Sequence, residues 1–152
     1  MIHGKKSIAL FPHEGNLYNQ GIIYGRMSNN EKALEYFNKA LNTKNYYYTG
    51  YKHNHNHNLI TYVTFSWFLA RNESYQSAEK IIKEGLVEYP NEGQLWEILA
   101  ICEYRLHNQD KVLIAIEKAI SLSQKQEFYA ILSKIKNKES IVLAPFPSNL
   151  GN

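Results

Sequence analysis

A small residue recurs along this chain at fixed intervals, and that recurrence limits the fold more than any other feature. Gly21, Ser66 and Ala100 stand 45 and 34 residues apart. The same two intervals separate Ala33, Ala78 and Val112, then Phe37, Ile82 and Ile116, then Ala40, Gly85 and Ala119. Inside each copy the last three positions follow one another at steps of four and three, so they share one face of a helix. The longer interval is the shorter one plus eleven residues, which reads as an insert in a 34-residue period. A chain built this way is a repeat protein, in which each unit buries its apolar face only by stacking on the next.

The 152 residues amount to about one domain and can bury a continuous core. Twelve tyrosines are many for this size and suit a large, partly wet contact surface, because tyrosine buries area and keeps a polar tip. The formal charge is +3, with lysine and arginine spread over the whole length, which argues against a nucleic-acid partner. A single cysteine, Cys102, excludes an intramolecular disulfide and fits a reducing compartment. The apolar run Ile8 to Phe11 is too short for a signal peptide, and nothing approaches the roughly twenty apolar residues of a membrane span. The expectation is a soluble, cytoplasmic protein with no membrane partner.

The spacing predicts helices over Glu14–Met27 and Glu31–Leu41, joined by Ser28-Asn29-Asn30, whose short polar side chains cap the second helix. Leu59–Arg71 is rich in Ile, Val, Thr, Phe and Trp and reads locally as a strand, but its place in the repeat makes it a helix. Gln76–Glu88 is its partner, ended by Tyr89-Pro90. Gly93–Leu106 and Asp110–Leu122 form a third hairpin, and the amphipathic stretch from 125 to 136 caps the last exposed flank. The organisation expected is an extended lead-in over 1–13 and a repeat domain over 14–138. Its repeats lie at about 14–47, 59–92 and 93–126, with an inserted loop at 48–58 and a capping helix at about 125–136; an irregular tail follows over 139–152.

These residues resemble the tetratricopeptide repeat, whose pattern runs aromatic, leucine with a small residue, aromatic, then alanine, a large residue, alanine and proline. Trp96, Leu99 and Ala100 match its opening in the third copy; Gly21, Tyr24, Ala33, Phe37 and Ala40 match the first; Tyr62, Phe65, Ala78 and Pro90 match the second. The resemblance covers residues 14 to 126 and implies an all-α fold, a right-handed α-solenoid of three helical hairpins plus the capping helix. Glu103 departs from it, standing where the first helix usually carries an aromatic, and Asn45 and Gln124 replace the closing proline. The Glu103 departure implies a rotated or repacked end for that helix.

The family's first helices line a concave groove that holds a peptide. Carried onto this chain, the groove comprises Tyr18, Ile22, Arg26, Val63, Trp67, Arg71, Glu97, Ile101 and Arg105. Arg26, Arg71 and Arg105 occupy equivalent places and would form a ladder able to grip carboxylates or phosphates. The alternative is that they only complement the dipole at their helix ends. The lysines and asparagines with which some members clamp acidic chaperone tails are missing, since Tyr18, Ile22, Thr64, Gln94 and Ile98 stand at those places. The resemblance therefore implies a non-catalytic scaffold or adaptor for a protein or peptide, acidic if the ladder is used. A second resemblance, in Ala78 to Pro90, is to the repeat tails of bacterial family-2-type glycosyltransferases and implies a detached accessory module. Self-association through Tyr46 to Tyr51 is a third reading.

Three weaker signals remain. His53, His55 and His57 alternate with asparagines and, if extended, could present three imidazoles to a metal; with no cysteine or acidic residue near, the tract reads as a solvated loop. Trp67, Tyr104 and Tyr18 could form an aromatic patch, while Trp96 is assigned to the core. Catalysis finds little support: Asp110 is the only aspartate, Cys102 sits among apolar residues, and no glycine-rich phosphate loop occurs, so neither an active site nor a cofactor is expected.

Overall fold

A computed structural model describes residues 14–43, 59–144, 146 and 147. The expected lead-in at 1–13 and insert at 48–58, with the three histidines and Tyr46 to Tyr51, lie outside the described residues. Seven helices form among those described: α1 (Glu14–Arg26), α2 (Asn30–Leu41), α3 (Leu59–Arg71), α4 (Tyr75–Glu88), α5 (Gly93–Arg105), α6 (Gln109–Leu122) and α7 (Gln126–Lys136). They make three contacting pairs and a terminal helix. Two compact units share the chain, Met1–Thr61 and Tyr62–Asn152, with their boundary in the first turn of α3.

In the first unit α1 and α2 pack along their length. A Cβ built on Gly21 would lie 2.5 Å from the Phe37 ring, so only a glycine lets the helices come this close. Ala33, Phe37 and Ala40 are fully buried, as their shared face requires. Tyr18 meets Phe37 at 5.7 Å between ring centres, and Tyr24 stacks on Tyr36 at 5.5 Å. Asn29 caps α2 as its residue type predicts, its side-chain oxygen accepting from the Lys32 amide at 3.2 Å.

The second unit repeats the device. Gly85 of α4 lies under Tyr62 of α3 and beside Leu95 of α5; a Cβ there would stand 3.0 Å from the Tyr62 ring. The Tyr62 hydroxyl donates to the Glu88 carboxylate, and its ring meets Tyr89 edge-on. Ala78 and Ile82, then Val112, Ile116 and Ala119, are buried at the recurrent positions, and the larger Val112 is accommodated without exposure. Helix α5 packs on α4 and α6, and α7 packs on α6 and α5. Gly93 opens α5 under the Phe128 ring of α7, to which a Cβ would approach within 3.0 Å.

The turns carry the period as clearly as the core does. Ser28, Glu73 and His107, again 45 and 34 apart, all have positive φ near 60°. After each of them an amide reaches back five residues: Asn29 to the Tyr24 carbonyl at 2.9 Å, Ser74 to Leu69 at 2.8 Å and Asn108 to Glu103 at 2.9 Å. This left-handed closure satisfies helix-end carbonyls and reverses the chain in three residues. Helix α7 ends identically, with Lys138 at φ 57° and the Glu139 amide on the Lys134 carbonyl at 2.9 Å. It therefore terminates like the first helix of a hairpin, although the described residues after it form no helix. Ser140-Ile-Val-Leu-Ala-Pro-Phe-Pro147 stands where that helix would begin, and two prolines with two β-branched residues cannot propagate one.

One expectation changes and one is narrowed. Trp96 is half-buried rather than in the core: its indole nitrogen needs an acceptor and finds the Pro90 carbonyl at 3.0 Å on the α4–α5 turn. Glu103 leaves α5 helical through Arg105. The carboxylate is buried and accepts the Asn108 side-chain amide at 2.6 Å, so a polar contact with the α5–α6 turn replaces the aromatic, and the helix end is repacked.

Candidate functional site

Helices α3 and α5 differ from their partners in how much of their surface is covered. In α3 every residue from Thr61 to Phe68 is buried, and in α5 every residue from Glu97 to Glu103. An amphipathic helix packed on one side does not reach this state; something must lie on the other. For α3 part of the cover is the chain's own tail. The Trp67 indole N–H donates to the Ala144 carbonyl at 2.9 Å, and Phe68 meets Phe146 edge-on at 5.5 Å. At the other end the Tyr104 hydroxyl of α5 donates to the Glu139 carbonyl at 2.9 Å. Between these anchors the described residues form neither helix nor strand, and Ile141 is 7% exposed while its neighbour Val142 is 85% exposed. That alternation is the signature of an extended segment with one side against a surface.

Beside the start of the tail is an open cleft of about 810 Å³ lined by Tyr75, Tyr104, Arg105, His107, Ile135 and Glu139. The Arg105 guanidinium stands 5.5 Å over the Tyr75 ring, a cation–π contact that holds the charge at the rim. Arg71, like Arg105, is the last residue of its helix and exposed.

Of the groove residues that the family resemblance implies, Val63, Trp67, Glu97 and Ile101 are buried and Arg71 and Arg105 exposed in the second unit. In the first unit Ile22 is buried, Tyr18 half-buried against Phe37, and Arg26 exposed as the last residue of α1. Trp67 and Tyr104 share one feature, a hydrogen bond to the tail backbone.

Burial pushes the Glu97 carboxyl up to about 7; repulsion from Glu127 adds to the shift and Lys125 opposes it. A hydrogen bond with Glu103 raises the carboxyl of Glu79 on α4, with burial and mutual repulsion acting in the same direction. Burial would raise Glu103 too, but its hydrogen bonds with Glu79 and Asn108 outweigh this and hold it low. The Cys102 thiol is pushed up to about 12 by burial first and by Glu103 and Glu79 after it, so it carries no thiolate at neutral pH. Among the described residues no group of three His, Cys, Asp or Glu could hold a metal ion, and no helix is long and apolar enough to cross a membrane.

Sequence reasoning missed the docking of the tail, which it expected only to be irregular. The signal was available in Ile141 and Phe146, apolar residues in a segment that has no helix of its own to bury them. Compared with known proteins, the chain matches no protein-family model and no curated protein.

Proposed function

We propose that this chain is a non-catalytic adaptor that holds an extended peptide or protein segment against the first helices of its hairpins, on the α3 and α5 face of the second unit. The observation that carries this reading is the tail itself. An extended stretch of polypeptide lies on that face, held by hydrogen bonds from Trp67 and Tyr104 to main-chain carbonyls, which every peptide possesses. Aromatic anchors supply the desolvated contact, and Arg71 and Arg105 at the helix ends give register to a partner that brings carboxylates. The 34-residue period, its close-packed small residues and its recurring left-handed turns support reading the hairpins as tetratricopeptide repeats. The buried thiol of the single cysteine fits work in the reducing cytoplasm.

Selection from a random peptide library with the intact chain tests the proposal. Bound peptides should slow amide exchange in α3 and α5, and those bearing carboxylates should lose affinity in an Arg71→Ala/Arg105→Ala chain. Protection confined to the outer faces of α4 and α6 would contradict it.

A further inference from the structure

We infer that the described residues of the tail, 139–144, 146 and 147, are a built-in, displaceable ligand of the α3–α5 face, and that the partner this face fits is an extended peptide with an uncharged core carrying apolar side chains spaced like Ile141 and Phe146. The inference rests on the peptide-binding reading above and adds how the face is regulated and what chemistry it accepts.

The tail has the construction of a ligand. Its two hydrogen bonds from the helices reach carbonyl oxygens of Glu139 and Ala144, so they would be made equally by another peptide in the same pose. Its side-chain contacts are where selectivity lies: Ile141 and Pro147 are buried and Phe146 packs on Phe68. From Ser140 to Asn152 there is no charged residue, so the occupant seen here uses the aromatic part of the face and leaves Arg71 and Arg105 exposed. A competitor need only reproduce a neutral backbone with an apolar residue and an aromatic five positions apart.

The attachment also has the properties of something that can leave. Val142 and Ala144 are exposed, and the described residues from Glu139 onward contribute no helix or strand to the fold. Segments with few buried side chains open at a free energy well below that of global unfolding. What keeps the tail in place is its tether to α7. A short linker holds a ligand at an effective concentration on the order of millimolar, so a free peptide with the same contacts competes at a disadvantage set by that concentration. Partners of ordinary micromolar affinity then face a closed site until they bring additional contacts, for which the Arg105–Tyr75 cleft is adjacent.

The test uses a fluorescent peptide of sequence 139–152, titrated by anisotropy into the intact chain and into an Ile141→Asp/Phe146→Asp chain. The variant, with its own tail disabled, should bind the peptide at least about tenfold more tightly than the intact chain. A peptide carrying the same two aspartates should bind neither. Equal affinity for both chains, or no binding to a variant whose helical circular dichroism matches that of the intact chain, would overturn the inference. If the variant loses helicity, a protease site inserted after Glu139 allows the tail to be cut in the folded protein; the labelled peptide should then exchange for the severed one. Failure to exchange, whether the cut tail stays bound or the helices melt, overturns the inference as well. Library peptides that bind α3 and α5 equally in the intact and tail-disabled chains would preserve the adaptor reading while removing the built-in ligand.

Discussion

In the second unit, α3 and α5 are covered almost all round, whereas α4 and α6 bury a single face and turn the rest to water. Helix α4 buries Ala78, Ile82 and Gly85 and leaves Val87 82% exposed; α6 buries Val112, Ala115, Ile116 and Ala119 and exposes Ile114. The second helices therefore have what hairpin packing alone provides. The first helices have more, and the additional cover on α3 includes the extended tail anchored at Trp67 and Phe68. Coverage beyond what the hairpin provides thus marks, on α3, where the tail lies.

The sharpest way to break this comparison is to truncate one side chain on each kind of helix. Trp67→Ala removes a large ring, its hydrogen bond and the tail's anchor, and should cost about 3–5 kcal/mol in urea unfolding. Val87→Ala on the outer face of α4 should stay within about 0.5 kcal/mol. Similar costs at the two sites would mean that α3 is no more committed than α4.

The next effect is electrical. The Glu97 carboxyl in α5 is raised by burial to about 7, so the folded state holds its proton through a pH range where the unfolded chain has released it. Stability from this group is fully present below the unfolded value near 4.5 and is lost as pH rises toward 7. The loss amounts to about 3 kcal/mol at most. Glu97→Gln should flatten that part of the stability profile and leave the protein more stable than wild type at pH 8, as thermal melts across the range would show. A profile unchanged by the substitution would mean that α5 is wetter there than its burial states.

Smaller effects probe how the helices are held together. Gly85→Val drives side-chain atoms into Tyr62 and Leu95 and should destabilise by about 1–3 kcal/mol, seen as a lower urea midpoint. At the turns, none of the four left-handed positions is a glycine. His107→Gly relieves that conformation and should raise stability by about 1 kcal/mol at most; a decrease would show that the histidine contributes a contact worth more than the strain.

The hairpins were legible because packing in a repeat is set by short-range spacing. Ala33, Phe37 and Ala40 announce a helix face directly, and the registers of Ala78 and Val112 follow by translation. Leu59–Arg71 shows the same logic overriding a strand-like composition, since a helix covered on several sides can be apolar all round. The candidate site was only half legible. Trp67 could be placed by its repeat position, but that its indole would meet Ala144, 77 residues on, is a long-range contact with no periodic signature. Trp96 was misplaced for a related reason: a large ring suggests core, whereas its N–H settles on whichever carbonyl a neighbouring turn presents, here Pro90. Glu103 broke the pattern without breaking the helix because Asn108 and Glu79 lay within reach of its carboxylate, which spacing along one helix does not reveal.

The most direct measurement is the indole region of a proton–nitrogen correlation spectrum, where the two tryptophans give two signals. Trp67 Nε1–H is bonded to the tail and Trp96 Nε1–H to Pro90, so the second is an internal control in the same molecule. In the Ile141→Asp/Phe146→Asp chain the Trp67 signal should shift and exchange faster with solvent, while the Trp96 signal stays where it was. A Trp67 signal unchanged in position and protection would contradict the claim that the tail occupies the α3–α5 face.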